Sequence, residues 1–500
     1  MKNVLQMLER TARRTPHKVL FVDEARSLTC EEFVAAAQAV GSAIAAEGIR
    51  GRPIAVRMHR GVDCLIAMMG VVYSGNFYTV IDYEMPAARA EKIYETLCPA
   101  AILQRSADET PSLPALSYED CVAHPVDDPR LCRIRGEMTE NDPLYALFTS
   151  GSTGIPKGAV ISHRNVLAYS AWFCSTFAIT EETVFASQTP FYFSMSVSDV
   201  FAALRTGATL HILPKMMFSF PVKLLEYLEL HRVNTLYWVP SALCIVANWK
   251  AMDYVRPTHL KKVLFAGEVM PARQLGYWMD KLPDAQFANL FGPTETTDIC
   301  TYYILRRRFA AGEQIPIGFS CDNCHVFVVG EDGREVRPGE IGELYVRGPF
   351  VGMGYYNDPE KTAAAFVQNP LQQAYPEIVY KTGDLVRQNE AGELCYVSRK
   401  DHQIKHMGYR IELSEIEAAA GALPTVDAAA ALYDKEESQI VLVYQGKRTG
   451  DDAFARTMGE ALPAYMVPGK YIRVRAMPIN GNGKIDRVWL QQNYHTLEGK

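Results

Sequence analysis

The sequence contains a segment rich in glycine and hydroxyl groups, TSGSTGIPKG at 149–158, that could bind phosphate. Glycines let backbone N–H groups approach phosphate oxygens, and hydroxyl and ammonium groups add further donors. The residues of this kind are Thr149, Ser150, Gly151, Ser152, Thr153, Gly154 and Lys157. The apolar run at 144–148 predicts a buried strand directly before the segment, which a flexible linker would not need. The spacing differs from the G-x-x-x-x-G-K-S/T loop, so the segment predicts a nucleotide triphosphate site of another kind.

A second cluster, NLFGPTET at 289–296, combines an aromatic ring, a Gly-Pro turn and a carboxylate. Phe291 could stack on a purine, and the amide of Asn289 could hydrogen-bond the purine edge. Glu295 could hold a Mg²⁺ ion that bridges phosphates. The cluster therefore fits the base and the metal ion of the same nucleotide.

Three later segments carry single groups that could contact a nucleotide or an acid. Asp384, in YKTGDLV at 380–386, could accept both hydroxyls of a ribose, or it could cap the backbone of its own turn. The basic segment SRKDHQIKHMGYRIELSEIE at 398–417 and NGNGKIDR at 480–487 place positive charges around glycines. A charge run is usually a solvated face, but Lys484 on a tight turn is a plausible point charge for a carboxylate or phosphate oxygen.

Composition and charge exclude several classes of protein. The 500 residues are 48% hydrophobic and 22% charged, as in ordinary globular proteins, and the net charge of −6 offers no basic field for nucleic acid or anionic lipid. Eleven cysteines are too few for a disulfide scaffold and odd in number, which favours a reducing compartment. The sequence shows neither a signal peptide nor an apolar run of ~18 residues, so we expect a soluble, cytoplasmic protein without a nucleic-acid or membrane partner.

Hydrophobic periodicity predicts the elements that must position these residues. It indicates an amphipathic helix at the N-terminus, a helix at 31–46 and strands at 53–58, 208–213, 235–239 and 262–265. Such alternation of helices and strands over the first 400 residues predicts βαβ units and mostly parallel sheets.

The pattern changes after a loop at 308–314. Short strands are predicted there at 326–329, 342–346 and 394–397, and the last ~100 residues predict a compact α+β unit with a helix at 414–421 and strands at 440–444 and 471–474. We place a domain boundary in the charged stretch 399–402, which gives domains at 1–400 and 401–500.

Taken together, the five segments resemble those of the adenylate-forming enzymes, the superfamily of acyl-CoA synthetases, firefly luciferase and the adenylation domains of non-ribosomal peptide synthetases. The resemblance covers nearly the whole chain. GPTET with NGKIDR favours the amino-acid-activating branch, which includes stand-alone adenylation domains and D-alanine:carrier-protein ligases.

The resemblance implies an α/β fold and a two-step reaction. The fold would have a large N-terminal domain of two mostly parallel sheets with helices plus a β-barrel part, which binds ATP and the acid, and a small, mobile α+β C-terminal lid domain. ATP and Mg²⁺ would be the cofactors. A carboxylate would form an acyl-AMP with release of pyrophosphate, and a thiol would then capture the acyl group.

The resemblance also implies a role for individual residues. The residues that bind the phosphates would be Ser150, Gly151, Ser152, Thr153, Gly154 and Lys157. Asn289 and Phe291 would bind the adenine, and Asp384 and Arg399 the ribose. Thr294 and Lys405 would also contact the nucleotide. The catalytic residues would be Thr149, Glu295 as the metal ligand, and Lys484, which would balance charge between the acid and the α-phosphate. Asp401 would be the hinge between domains, and Gly408 would line the route of the thiol.

Two residues depart from the family pattern. The aspartate that anchors an α-amino group in the family is Ser194 here, within FSMSV at 193–197. Since Ser194 is neutral, we expect ordinary α-amino acids to be poor substrates. Ser398 replaces a common glycine, a change without an evident consequence.

By the same alignment, the acyl pocket would be lined by Ser194, Met195, Ser198, Ser241, Leu264, Ala266, Leu290, Asp298 and Ile299. Asp298 is the carboxylate of this set. A buried carboxylate is costly unless it is paired, so it could bind an amine placed elsewhere on the substrate, for example at a β or side-chain position, or it could point into a turn and accept backbone hydrogen bonds.

The sequence therefore predicts an ATP-dependent, AMP-forming acid–thiol ligase. It would adenylate a small carboxylic or amino acid and pass it to the phosphopantetheine of a carrier protein, which must act in trans because the chain has no Gly-Gly-x-Ser segment. Transfer to coenzyme A and D-alanine activation are the alternatives within this enzyme class. A binding protein that senses a nucleotide without turnover is the alternative outside it, although Glu295, Asp384 and Lys484 together argue against that.

Overall fold

The computed structural model of the chain describes residues 1–106, 113–151, 155–310, 312–401, 403–479 and 485–497, without the side chain of Val488. It divides into two compact units. The first unit comprises Met1–Tyr83, Cys98–Leu147 and Gly158–Lys400, and the second comprises Glu84–Leu97, Phe148–Lys157 and Asp401–Lys500. The second unit thus includes two short segments from the first 400 residues, and the domain limits at 1–400 and 401–500 stay a prediction.

The described residues form fifteen α-helices and twenty-six β-strands. The helices are α1 (Val4–Arg14), α2 (Cys30–Ala46), α3 (Val62–Tyr73), α4 (Ala87–Leu97), α5 (Tyr118–Ala123), α6 (Asp128–Glu137), α7 (His163–Thr176), α8 (Ser196–Thr206), α9 (Pro221–Leu230), α10 (Pro240–Asn248), α11 (Ala272–Lys281), α12 (Pro359–Ala365), α13 (Leu413–Gly421), α14 (Asp451–Ala461) and α15 (Arg487–Asn493). The first strands are β1 (Val19–Val22), β2 (Ser27–Thr29), β3 (Pro53–Met58), β4 (Phe77–Asp82), β5 (Ala101–Gln104), β6 (Ala115–Ser117), β7 (Pro143–Thr149), β8 (Lys157–Ser162), β9 (Val184–Ser187), β10 (Thr209–Ile212), β11 (Thr235–Trp238), β12 (Lys262–Ala266) and β13 (Gln286–Phe291). The later strands are β14 (Thr301–Ile304), β15 (Phe319–Ser320), β16 (His325–Val329), β17 (Ile341–Arg347), β18 (Gly354–Tyr355), β19 (Phe366–Gln368), β20 (Ile378–Gln388), β21 (Leu394–Arg399), β22 (Gln403–His406), β23 (Tyr409–Glu412), β24 (Val426–Asp434), β25 (Gln439–Gly446) and β26 (Lys470–Val474).

Two large sheets with mostly parallel pairing account for the apolar strands predicted from the sequence. The nine-stranded sheet has the order β15-β14-β13-β12-β11-β9-β10-β1-β2, and the seven-stranded sheet has the order β18-β8-β7-β4-β3-β5-β6. The pairs from β13 through β12, β11, β9 and β10 to β1 are all parallel. Parallel strands that are covered on both faces are largely apolar and buried, as β11 is throughout and β12 is after Lys262.

Where the resemblance implied a β-barrel part, the described residues form a five-stranded antiparallel sheet. Its strands follow the order β16-β17-β20-β19, and β21 pairs with the other part of the long strand β20. The β20–β21 pairing places Asp384 opposite Arg399. This sheet therefore positions the two residues assigned to the ribose.

The second unit contains a three-stranded sheet, β24-β25-β26, and the two-stranded hairpin β22-β23. Alternate residues of β25 pack on opposite faces of the sheet: Ile440 and Leu442 belong to one apolar cluster with α13 and α14, and Val441 and Val443 belong to another with α15. Side chains of a strand alternate between the two faces, so one strand contributes to both clusters.

The elements predicted from the sequence are present with small shifts at their ends. The helix predicted at 31–46 is α2, whose N-cap Thr29 and Glu32 form a capping box. The predicted α+β character of the last 100 residues and the predicted α/β class are confirmed by α13, β25 and β26 and by the two large sheets. Within the described part of the chain, we find no helix with the length and apolar character that a bilayer crossing requires.

Candidate active site

The turn after β13 holds the carboxylate of Glu295 in a fully buried position. Glu295 has 0% exposure, and the hydroxyl of Tyr355 donates to its Oε1 at 2.6 Å. The backbone N–H of Gly352 donates to the carbonyl of Glu295 at 2.9 Å. Gly292 opens this turn, and a Cβ there would lie 2.3 Å from the carbonyl oxygen of Asp298, so only glycine fits the close approach. The predicted metal ligand is thus rigidly placed.

Backbone strain follows directly in the chain. Thr297 has φ +72° and ψ −58°, a conformation that β-branched residues rarely adopt. Its hydroxyl donates to the carbonyl of Phe350 at 2.9 Å, and its side chain is fully buried. Strain of this kind typically costs about 1–3 kcal/mol and persists where the surroundings impose it. The strained residue reverses the chain immediately before Asp298.

Four side-chain hydroxyls lie within hydrogen-bond distance of the Asp298 carboxylate, and two of them, those of Tyr169 and Ser198, also lie 2.6 Å from each other, so one of these two donates to the other. Its Oδ2 lies 2.7 Å from Ser198 Oγ, 2.9 Å from the Tyr237 hydroxyl and 3.1 Å from the Tyr169 hydroxyl. Its Oδ1 lies 3.3 Å from Ser194 Oγ. We call these five residues the hydroxyl cage. The alternative in which Asp298 caps a turn through backbone hydrogen bonds is wrong, because its carboxylate partners are hydroxyls.

The hydroxyl cage is neutral apart from Asp298. Burial raises the pKa of Asp298 to about 6, while the hydroxyl hydrogen bonds oppose that rise. Burial also raises the pKa values of Tyr169 and Tyr237 well above their usual range, so both remain neutral donors. Asp298 makes no ion pair among the described residues. Its charge is therefore balanced by hydroxyl dipoles rather than by a cation.

The other predicted pocket residues come from several elements: Leu264 and Ala266 lie on β12, Leu290 on β13 and Ser241 on α10, while Met195 directly precedes α8 and Ile299 follows the turn after β13. Ala266 of β12 is the register partner of Leu290 of β13. The buried pocket residues are Met195 and Ala266 at 2% exposure, Leu290 and Ile299 at 1%, and Leu264 at 0%. Ser241 differs, since it is partly exposed and its backbone N–H donates to Glu268 Oε2 at 2.9 Å. Leu264, Ala266 and Leu290 thus lie on adjacent parallel strands, and Ala266 and Leu290 lie near the carboxyl ends, at the edge where open α/β sheets bind ligands.

The predicted ribose residues meet on the antiparallel sheet. Arg399 Nη1 lies 3.1 Å from Asp384 Oδ1 and donates to the carbonyl of Thr382 at 2.8 Å. Gly383 has φ +75°, and a Cβ there would lie 2.8 Å from Arg399 Nη2. Asp384 is 3% exposed, and its Oδ1 has no aligned hydrogen-bond donor. Asp384 Oδ1 accepts no hydrogen bond from the backbone of its own turn, so this oxygen does not cap the turn and is left ready for a ligand hydroxyl.

The residues predicted for the base are held by their own neighbours. Asn289 Nδ2 donates to the carbonyl of Pro316 at 2.8 Å, which fixes the orientation of its amide. The ring of Phe291 lies 6.0 Å from that of Tyr396. Thr294 Oγ1 donates to Ser194 Oγ at 3.3 Å, so this segment reaches the hydroxyl cage.

The start of the phosphate segment lies in the second unit. Thr149 Oγ1 is buried and has no hydrogen-bond partner, whereas Ser150 Oγ donates to the carbonyl of Arg410 at 2.6 Å. A Cβ at Gly151 would lie 2.0 Å from the carbonyl oxygen of Ile155, so this turn requires glycine. Lys157 begins β8. Ser152, Thr153 and Gly154 lie outside the described residues. The unpartnered hydroxyl of Thr149 fits a phosphate oxygen.

The residues predicted for the hinge and the thiol route lie at the start of the C-terminal segment. Asp401 Oδ1 accepts from the backbone N–H of Gln403 at 3.2 Å. Gly408, with φ +80°, forms the turn between β22 and β23, and Lys405 lies on β22. Lys484 is outside the described residues, so its role stays a prediction.

Sequence reasoning missed three tyrosines that position buried carboxylates. Tyr237 lies near the carboxyl end of the predicted strand β11, beside Leu264 in register, so the rule that ligands bind at that edge could have identified it. Tyr169 on α7 and Tyr355 on β18 contact Asp298 and Glu295 across long stretches of chain. No sequence pattern marks these two residues.

Comparisons with known proteins agree with this geometry. Residues 8–356 match the family described as AMP-binding enzyme. The chain is 32% identical to an L-proline–L-prolyl-carrier protein ligase of Pseudomonas fluorescens, over 98% of this chain and 99% of that protein. It is 30% identical to a D-alanine–D-alanyl carrier protein ligase of Bacillus cytotoxicus, over 97% and 98%.

The chain also resembles larger proteins and solved structures. It spans 17% of the length of a vanchrobactin synthetase of Vibrio anguillarum, at 31% identity over 95% of this chain. Among solved structures, an NRPS protein containing adenylation and PCP domains matches with a TM-score of 0.82 and 22% identity, over 100% of this chain and 98% of that one. The structural match supports the fold.

Proposed function

The chain belongs to the AMP-binding enzyme family, and we propose that it adenylates a small carboxylic or amino acid and transfers it to the phosphopantetheine thiol of a separate carrier protein. The family and the class of enzyme predicted from the sequence, an AMP-forming ligase, are confirmed by these matches. The carrier protein as acceptor and the identity of the acid belong to the proposal.

The observation that carries the proposal is the full-length match to two ligases named for a carrier protein. Each match covers at least 97% of both chains, so the relation is not restricted to a nucleotide-binding part. Those two relatives activate different amino acids by name, and their names therefore support the acceptor more than the acid.

Each of the two units, taken by itself, carries groups that fit a part of ATP. Asp384 Oδ1, buried without an aligned donor, fits a ribose hydroxyl, with Arg399 beside it. Thr149 Oγ1 fits a phosphate oxygen, with Ser152, Thr153 and Gly154 extending the phosphate segment. Bound ATP would supply the AMP group to which the acid is joined.

Glu295 would hold Mg²⁺ together with phosphate oxygens. Mg²⁺ is commonly bound by one or two carboxylates plus substrate phosphates, and the described residues contain no cluster of three metal-binding side chains that would form a complete protein cage. The hydroxyl of Tyr355 would keep the Glu295 carboxylate oriented. Lys484 would offset the negative charge of the two anions as they approach each other.

The test measures both half-reactions with the purified full chain. Pyrophosphate release is first measured with hydroxylamine across L-, D- and β-amino acids, aryl acids and short fatty acids. The best acid is then offered with phosphopantetheinylated carrier proteins or with coenzyme A, and the acylated thiol is detected by mass spectrometry.

The proposal expects acylated carrier protein and at least tenfold slower acylation of coenzyme A at equal concentration. Faster acylation of coenzyme A would contradict the proposed acceptor. ATP binding without pyrophosphate release from any acid would instead favour a nucleotide-sensing protein. D-alanine as the best acid would identify the chain as a D-alanine ligase within the same enzyme class.

A further inference from the structure

The carboxylate of Asp298 is a buried charge without a cation. Transfer of an ionised carboxylate from water to a protein interior is costly, and such groups are normally paired with a cation or become protonated. Asp298 is 1% exposed, and its hydrogen-bond partners are four neutral hydroxyls. Among the described residues, Asp298 therefore has hydroxyl partners and no cation.

The two oxygens of Asp298 are not equally satisfied. Oδ2 has three hydroxyl contacts, at 2.7, 2.9 and 3.1 Å, whereas Oδ1 has one long contact, at 3.3 Å to Ser194 Oγ. The two oxygens of an ionised carboxylate together offer about four acceptor sites. Oδ1 therefore keeps capacity for a further donor, and it is the oxygen that faces Ser194.

The hydroxyl cage is least enclosed at Ser194. Ser194 is 6% exposed, while Ser198, Tyr237 and Asp298 are 1% exposed and Tyr169 is fully buried. Thr294 Oγ1 also contacts Ser194 Oγ at 3.3 Å, and Thr294 directly precedes Glu295. The less enclosed side of the hydroxyl cage thus adjoins the chain segment assigned to the nucleotide and its metal ion.

We propose that Asp298 Oδ1 and Ser194 Oγ together bind the ammonium group of the substrate, so that the acid activated by this enzyme carries an amine. This inference rests on the proposed function. It places the ammonium anchor at residue 298 and makes Ser194 its neutral partner. The absence of a carboxylate at residue 194 then does not exclude an amino acid, because the carboxylate of Asp298 lies against the serine.

Tyr169, Ser198 and Tyr237 are positioning residues in this arrangement. They belong to α7, α8 and β11, and all three contact Oδ2. Three hydroxyls from three elements hold the carboxylate in one orientation, which leaves Oδ1 toward Ser194. They also stabilise the charged form, because hydrogen bonds to a charged acceptor are stronger than those to a neutral one.

The charge of Asp298 depends on pH in the range where the enzyme can be assayed. The titratable groups that act on Asp298 electrostatically are Tyr145, Tyr169, Asp199, Tyr237 and Cys321. The three tyrosines and the cysteine have pKa values raised well above their usual range and stay neutral, whereas burial raises the pKa of Asp199 to about 7. Asp199 is therefore the neighbour whose titration must be separated from that of Asp298.

The experiment compares acids that share a carbon skeleton with and without the amine. The pairs are D- and L-alanine with propionate, β-alanine with propionate, L-proline with cyclopentanecarboxylate, and 3-aminobenzoate with benzoate. Pyrophosphate release is measured for the wild type and for Asp298→Asn. The proposal expects an amine-bearing acid to be the best substrate and Asp298→Asn to lower its kcat/KM by on the order of 10²- to 10³-fold, because a buried charge pair is broken. The amine-free partner should change less than threefold.

The pH dependence of KM tests the role of the positioning residues, because a purely structural role would leave it unchanged. The KM of the amine substrate should rise as the pH falls through about 6, since protonation of Asp298 removes its charge. Tyr237→Phe removes a donor to the charged form, so this rise should begin about one pH unit higher. Asp199→Asn removes a neighbouring negative charge. In this variant the rise of KM should begin at the same pH or at a lower pH.

Failure of this inference can be distinguished from failure of the proposed function. An amine-free acid as the best substrate, with the same kcat/KM in Asp298→Asn, would overturn the inference and leave the ligase activity intact. The inference would also be overturned if the rise of KM at low pH disappeared in Asp199→Asn and persisted in Asp298→Asn. Absence of pyrophosphate release with every acid would contradict the proposed function. If Asp298→Asn does not fold, the inference is tested by the pH at which KM begins to rise in Tyr237→Phe.

Discussion

In the absence of substrate, Asp298→Asn should stabilise the protein at pH 8. Burial raises the pKa of Asp298 from its ordinary 3.8 to about 6. At about 1.4 kcal/mol for each pH unit, the charged carboxylate destabilises the folded state by about 3 kcal/mol relative to the neutral form. Asparagine has the same shape and no charge. Its oxygen can accept from Ser198 and Tyr237, and its NH₂ group can donate to Ser194.

The sign of the pH dependence follows from the raised pKa. Since the folded state binds the proton more tightly, the wild type is relatively most stable below pH 3.8 and loses this advantage as the pH rises through about 6. The asparagine variant has no such titration. The stability difference should therefore be largest at pH 8 and shrink steadily as the pH falls from 6 toward 4.

Thermal unfolding of the wild type and of Asp298→Asn at pH 8, 6 and 4.5 measures this difference. For a unit of about 400 residues, an unfolding entropy of about 2.1 cal/mol/K per residue converts about 3 kcal/mol into a Tm increase of roughly 3–4 °C. Adding the amine substrate should raise the Tm of the wild type and not that of the variant. A variant with a lower Tm than the wild type at pH 8, without substrate, would show that the four hydroxyls compensate fully for burial and would refute this reasoning.

Three further variants test other parts of the site. Lys484→Ala should lower the kcat of adenylate formation about 10²- to 10³-fold while ATP binding and thiol transfer from preformed acyl-AMP persist, and wild-type pyrophosphate release would contradict its role. Gly408→Leu, at a residue with φ +80°, should spare adenylate formation and block thiol transfer, whereas equal losses in both half-reactions would indicate a general folding defect. Tyr355→Phe removes the 2.6 Å donor to Glu295 and should raise the Mg²⁺ concentration for half-maximal pyrophosphate release about tenfold, with Tyr356→Phe as a neighbouring control. An unchanged Mg²⁺ requirement would separate Tyr355 from the metal site.

The family and the secondary structure could be derived from the sequence because both depend on local patterns. Gly292 and Gly383 mark turns where a Cβ would collide, and Asp384 follows such a turn. The strand periods predicted β11 and β12 to within a residue or two. Spacing along the chain is enough for these features, since they form between residues that are near in sequence.

The surroundings of Asp298 were decided by the tertiary structure. Its hydroxyl partners Tyr237, Ser198, Ser194 and Tyr169 are 61, 100, 104 and 129 positions away in the chain. Sequence reasoning could identify Asp298 as a pocket carboxylate, but it left backbone capping and amine binding equally open. Only the packing of α7, α8 and β11 around the turn after β13 showed that hydroxyls satisfy one oxygen and leave the other free to accept. The physical reason is that the charge state of a buried group and its unused hydrogen-bonding capacity depend on the atoms within about 3 Å of it. Which atoms lie that close is set by how distant elements pack rather than by their order in the chain.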